Sequence, residues 1–110
     1  MNALPPLIAE RLPEVRALCA RHGVKNLAIF GSAVKGTFDS EKSDLDFVVE
    51  FLPGTPVGGL RGPYFQLLEG LQDLFGRRVD LVERRAIENP YFIEVLALTQ
   101  QPVYGSPAAA

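Results

Sequence analysis

Two aspartates stand two residues apart, at Asp44 and Asp46. They follow a glycine–serine pair in the run Phe30-Gly31-Ser32-Ala33-Val34-Lys35-Gly36. Residues i and i+2 of a strand face the same way, roughly 6.5–7 Å apart. A strand through Leu45 would therefore set both carboxylates on one surface. Gly31 has no Cβ, so a ligand can come close to the backbone there. Ser32 can cap a helical turn that follows, its hydroxyl accepting from a backbone N–H. Free N–H groups at such a turn attract anions, phosphate above all. Magnesium binds oxygen, commonly through one or two carboxylates plus substrate phosphates. Together these residues point to a site for Mg²⁺ carrying a nucleoside triphosphate.

The elements that must hold them follow from the apolar pattern. Val24 to Phe30 and Leu45 to Phe51 are short apolar runs of strand length. The first delivers Gly31-Ser32, and the second has the two aspartates at its mouth. Before them, residues 4–22 carry Leu7, Ile8, Leu12, Val15, Leu18 and Cys19 at helical spacing. Pro13 interrupts that pattern, so it makes either two pieces meeting near Leu12 or one bent helix. Gly23 is a natural stop. Pro53-Gly54-Thr55-Pro56 and Gly58-Gly59 break regular structure after the second strand, opposite its aspartates. Pro63 suits the first turn of a helix that ends at Gly76. A third strand covers Val79 to Val82, a further helix about Ile87 to Leu98, and a short strand Pro102 to Tyr104. Gly105 to Ala110 reads as an unstructured tail, leaving one domain over residues 1–104. Helices alternating with strands predict an α/β or α+β domain with one sheet.

Asp80 breaks the third apolar run, between Val79 and Leu81. A carboxylate in such a place needs a partner. Either Arg77 or Arg78 pairs with it, or it joins Asp44 and Asp46 in one site.

The Gly31-Ser32, Gly36 and Ser43-Asp44-Leu45-Asp46 segments resemble the G-S-x-x-x-G…S-D-x-D motif of the polymerase-β-like nucleotidyltransferases. The small size resembles their minimal nucleotidyltransferase (MNT) branch, whose members are often antitoxins of HEPN-domain toxins. The resemblance runs from the helix before Phe30 to Asp80 and its strand. It implies a mixed β-sheet with helices packed mainly on one face. It implies that Asp44, Asp46 and Asp80 are the catalytic, metal-binding carboxylates, holding two Mg²⁺ ions. It implies that Gly31 and Ser32 bind the phosphates of ATP, and that AMP passes to a tyrosine of a HEPN toxin. Lys35 stands where minimal members commonly carry Arg, which replaces a bidentate fork with a point charge. Two other readings stay open: an antitoxin that binds its toxin without modifying it, and a transferase for a small molecule.

Bulk properties fit this picture. The chain has 110 residues, 47% hydrophobic and 22% charged, with a net charge of −2. That balance argues against sequence-independent nucleic-acid binding, which needs a basic footprint. A single cysteine, Cys19, allows no internal disulfide and fits a reducing compartment. No apolar run approaches a membrane span, and the N-terminus lacks a signal-peptide pattern. A cytoplasmic location is the expectation. The remaining candidates have plainer readings. His22, the one histidine, could be a general base but fits better as a solvated residue at a helix end. Cys19 reads as a small core residue. Lys35, Arg61, Arg77 and Arg78 read as a solvated face, and Tyr64, Tyr91 and Tyr104 as packed rings with wet hydroxyls.

Overall fold

The computed structural model describes residues 4–31, 44–55 and 62–105. The expected turn after Gly31, with Ser32 and Lys35, lies outside these residues, as do Arg61 and the tail beyond Gly105.

Pro13 decides the start of the chain. A short helix α1 covers Pro6–Ala9, and a second, α2, covers Leu12–Arg21. Proline has no N–H and its ring clashes with the carbonyl four residues back, so one continuous helix is excluded. At the start of α2 neither defect matters, since the first-turn N–H groups lack helical partners anyway. Gly23, at φ 71°, then turns the chain out of the helix.

Four strands follow: β1 (Val24–Phe30), β2 (Leu45–Phe51), β3 (Val79–Glu83) and β4 (Gln101–Tyr104), in the spatial order β3-β2-β1-β4. β1 pairs antiparallel with β2 and with β4, whereas β3 runs parallel to β2. The sheet is therefore mixed, as expected. The parallel pair needs a crossover. Helix α3 (Pro63–Phe75) supplies it, opened by Pro63 and closed by left-handed Gly76 at φ 63°. Helix α4 covers Pro90–Thr99.

The sequence pattern starts that last helix three residues too early. Arg84–Ala86 form a single 3₁₀ turn, and Ile87 is extended at ψ 118°. The residue before a proline is pushed out of the helical region, so Pro90 must begin the helix rather than sit within it. Asn89 caps it, its Oδ1 accepting from the backbone N–H of Tyr91 at 2.9 Å and of Phe92 at 3.4 Å. Ile87 still packs against the core, which is why it matched the apolar pattern.

The two faces of the sheet are unequal. Leu27, Ile29, Leu45, Phe47, Val49 and Phe51 point to one side, with α1, α2 and α3 packed against them. Phe47 stacks on Phe75 of α3 at 6.2 Å between ring centroids. The other side has a small cluster, in which Leu96 of α4 covers Ala28 and Val48. No helix among the described residues is long and apolar enough to cross a membrane.

Phe47 is fully buried at the centre of the larger core. Phe47→Ala should destabilise the chain by roughly 3–5 kcal/mol, the usual cost of emptying such a site. Urea denaturation should show a lower midpoint with an unchanged slope.

Candidate active site

The small-core face of the sheet carries the carboxylates. Along β2, Asp46, Val48 and Glu50 point to this side, because strand side chains alternate. Phe30 of β1 lies opposite Asp46 in the antiparallel ladder, and Asp80 of β3 lies opposite it in the parallel one. Asp46 and Asp80, 34 positions apart in sequence, are thus neighbours by strand register. Asp44 sits just ahead of β2, outside the strand that carries Asp46.

Asp46 is perturbed by its surroundings. Its carboxyl is pushed up from the ordinary 3.8 to about 6. Burial is the largest cause, followed by a hydrogen bond to the Asp80 side chain, the charge of Asp80 and the charge of Asp44. All four act in one direction. Asp80 itself is exposed and faces Asp46, so it lies within this group at an open edge.

Gly31 has a more local role than expected. Its φ of 76° is in the left-handed region that favours glycine. A Cβ placed there would also overlap Asp46 Oδ2. The space left by the missing side chain is taken by the carboxylate, so the glycine and the aspartate fit as a pair. Ser32, its expected companion, lies outside the described residues.

The other candidates separate from this group. His22 lies beside Gly23, whose carbonyl accepts from Leu52 at the far end of the β1–β2 pair. The strand between spans about 20 Å, which removes the general-base reading. His22 is half-buried rather than solvated, and burial followed by the Arg21 charge lowers its pKa. Cys19 is buried, its thiol pushed up to about 12, as a core residue should be. Tyr64 differs from the expected wet hydroxyl: it donates to the carbonyl of Leu81, beside Asp80 on edge strand β3. Tyr91 differs too, being 74% exposed rather than packed.

A second polar group shares the face and was not foreseen. Glu50, only 9% exposed, accepts from fully buried Asn26 at 3.2 Å. Lys25, Arg84 and Arg85 surround it, at 3.6, 3.9 and 4.0 Å. Arg84 also donates to Gln100, just beyond α4, at 2.7 Å. The signal was available, since Glu50 interrupts its apolar run as Asp80 does.

The donor chemistry suits a hard divalent cation. Three carboxylates supply only oxygen ligands, which is what magnesium takes. Every influence on Asp46 is one that a cation would reverse. Among the described residues, no group of three or more acidic, histidine or cysteine side chains is already gathered around a metal position. Asp46 and Asp80 share a hydrogen bond instead.

The comparisons with known proteins converge on one family. The family model described as "Nucleotidyltransferase domain" matches residues 15–98. A protein of Methanocaldococcus jannaschii, "Putative protein adenylyltransferase MJ0128", is 45% identical over 76 residues, covering 69% of this chain and 72% of its own. Among solved structures, "Structure of putative minimal nucleotidyltransferase" aligns with TM-score 0.71 and 35% identity, covering 86% of this chain and 91% of that one. The MNT antitoxin in complex with a tri-AMPylated Shewanella oneidensis HEPN toxin also shares the fold. It has TM-score 0.63 and 17% identity, over 90% of this chain and 73% of that one.

Two outcomes follow from the geometry. A folded-state pKa above the unfolded one stabilises below the unfolded value, and that contribution is lost as pH rises through the folded value. For Asp46 the window runs from 3.8 to about 6. In metal-free buffer, Asp46→Asn should therefore melt higher than the parent at pH 7.5, and the difference should shrink towards pH 4. Gly31→Ala should destabilise by about 1–3 kcal/mol, the cost of a side chain at such a φ, measured by thermal melting.

Proposed function

This chain belongs to the nucleotidyltransferase domain family, and we propose that it moves AMP from ATP to a tyrosine hydroxyl of a HEPN-domain toxin, silencing that toxin. The register that sets Asp80 opposite Asp46, with Asp44 beside them, is the observation that carries this reading. The adenylyltransferase name of the 45% identical relative supports a protein acceptor. The AMPylated toxin held by an MNT antitoxin of the same fold supports its class. The reduced, buried Cys19 is consistent with a cytoplasmic setting.

In the reaction, Gly31 and Ser32 offer backbone N–H groups, and Ser32 its hydroxyl, to the β- and γ-phosphates. Asp44, Asp46 and Asp80 are the residues that would hold Mg²⁺. Bound there, such ions would supply Lewis acidity, easing loss of the acceptor proton and neutralising phosphate charge. The acceptor oxygen attacks the α-phosphorus in line. One P–O bond forms to tyrosine, the bond to the β-phosphate bridge breaks, and pyrophosphate leaves. Asp80, the most open of the three carboxylates, takes the hydroxyl proton. Asp46 is held by burial on β2 and by the space at Gly31, which fixes its orientation before substrate arrives.

The test is intact-mass spectrometry of a HEPN-domain protein from the same genome, mixed with this chain, ATP and Mg²⁺. The expected result is a gain in steps of one AMP. Asp44→Asn or Asp46→Asn should slow transfer by roughly a hundredfold or more, the scale of losing a group that stabilises transition-state charge. A stable complex with no mass gain would replace this reading with stoichiometric binding. Mg²⁺ should also raise the melting temperature of the parent chain at pH 7.5, and do so far less for Asp46→Asn.

A further inference from the structure

The small-core face of the sheet presents three surfaces in a row. Along β2, Asp46 belongs to the carboxylate group, Val48 lies under Leu96 of α4, and Glu50 belongs to the cation cluster. Helix α4 therefore sits between the candidate active site and a basic patch. Phe92 in its first turn meets Phe30 edge-on at 5.8 Å, one residue from Gly31. Gln100, just past its end, is bonded to Arg84 of the patch.

The outer side of α4 is unlike that of an ordinary surface helix. Such a helix carries charged residues outward and apolar ones inward. Here the inward contacts come from Phe92 and Leu96. Outward, Leu98 is 78% exposed, Tyr91 74% and Ile93 46%. Glu94 is the one charged residue between Pro90 and Thr99. Three large apolar side chains on one short helix, open to water, mark an interaction surface. The patch beyond it is unbalanced: Lys25, Arg84 and Arg85 share the single carboxylate of Glu50. The Lys25 and Arg85 side chains are themselves about half exposed.

We propose that the outer side of α4, with Tyr91 and Leu98 on one flank and Ile93 on the other, is the docking surface for the acceptor protein. The acceptor lays an apolar helix face on α4 and sets acidic side chains against Lys25 and Arg85. Its hydroxyl then reaches Asp46 and Asp80 at the other end of the same face. The proposal rests on the reading of a protein acceptor. Charge complementarity and adjacency to the carboxylates favour that occupant.

Two measurements on one set of variants test it. The probe is the HEPN-domain protein from the same genome, purified without its partner. Complex formation without ATP is followed by biolayer interferometry, and AMP transfer by intact mass. Leu98→Glu changes an exposed position and should leave thermal melting unaltered. It should raise the KM for the acceptor about tenfold or more, with kcat at saturation and the affinity for a fluorescent ATP analogue retained. Arg85→Glu should weaken the complex and flatten its dependence on salt. Transfer with a parent-like KM in Leu98→Glu overturns the docking surface and leaves the transferase reading standing. A complex that Leu98→Glu disrupts, with no transfer in the parent, overturns the transferase reading and keeps the surface. A parent chain that is dimeric in light scattering, and monomeric as Leu98→Glu, assigns the face to a second copy and overturns the proposal. Neither complex nor transfer overturns both.

Discussion

A carboxylate lodged in the gap left by a glycine governs this protein. Asp46 Oδ2 occupies the position where residue 31 would carry a Cβ. Residue 31 also holds φ 76°, so glycine suits the point where the end of β1 meets the start of β2. Burial first, and then the neighbouring Asp80 and Asp44, raise the pKa of Asp46, a cost that folding elsewhere must offset. Natural chains keep such locally unfavourable arrangements where the arrangement has a use. Asp80, set opposite by strand register, and Asp44, just ahead of β2, both oppose ionisation of Asp46 and form such an arrangement.

Stability and chemistry are separated by the alternation of β2. Leu45, Phe47, Val49 and Phe51 enter the larger core, where three helices cover them. Asp46, Val48 and Glu50 face the other way. A one-residue slip of β2 would send the carboxylates into the core and the phenylalanines to the site. The hydrophobic effect on one face thus fixes the geometry of the other. β3 depends on this as well, since its pairing with β2 sets Asp80 against Asp46. Its free edge is not left bare: Tyr64 of α3 donates to the Leu81 carbonyl, next to Asp80.

Much of this was legible in the residues. The bounds of β1, β2 and α3 could be read directly, because apolar runs, Pro63 and Gly76 each have one strong local meaning. The break at Asp80 marked a carboxylate that needs a neighbour, and the parallel register sets it opposite Asp46. What escaped depends on contacts between distant segments. The fit of Asp46 against Gly31 was not visible, because nothing in the sequence sets those two residues side by side. Glu50 passed unnoticed within an apolar run, because its partners Lys25, Asn26, Arg84 and Arg85 come from two other parts of the chain. The start of α4 was misplaced because Ile87 is partly buried without being helical, so apolar periodicity counted it. The reading of Tyr91 as a packed ring failed because helical spacing alone does not say which side of α4 faces the sheet.

The composition of α4 makes physical sense only with the whole face in view. A helix packed on one side needs an apolar stripe, and Phe92 and Leu96 supply it. A second stripe adds nothing to the fold, since Leu98 and Tyr91 remain largely in water. Exposed leucine and tyrosine carry no folding advantage over lysine or glutamate at the same positions, and they invite aggregation. Exposed beside the carboxylates, they suit contact with something outside the chain. The Glu50 cluster fits the same logic. One buried carboxylate needs one cation, yet three surround it, and two of them reach solvent. The excess positive charge lies next to the apolar stripe, where a helix presented by another protein would find both.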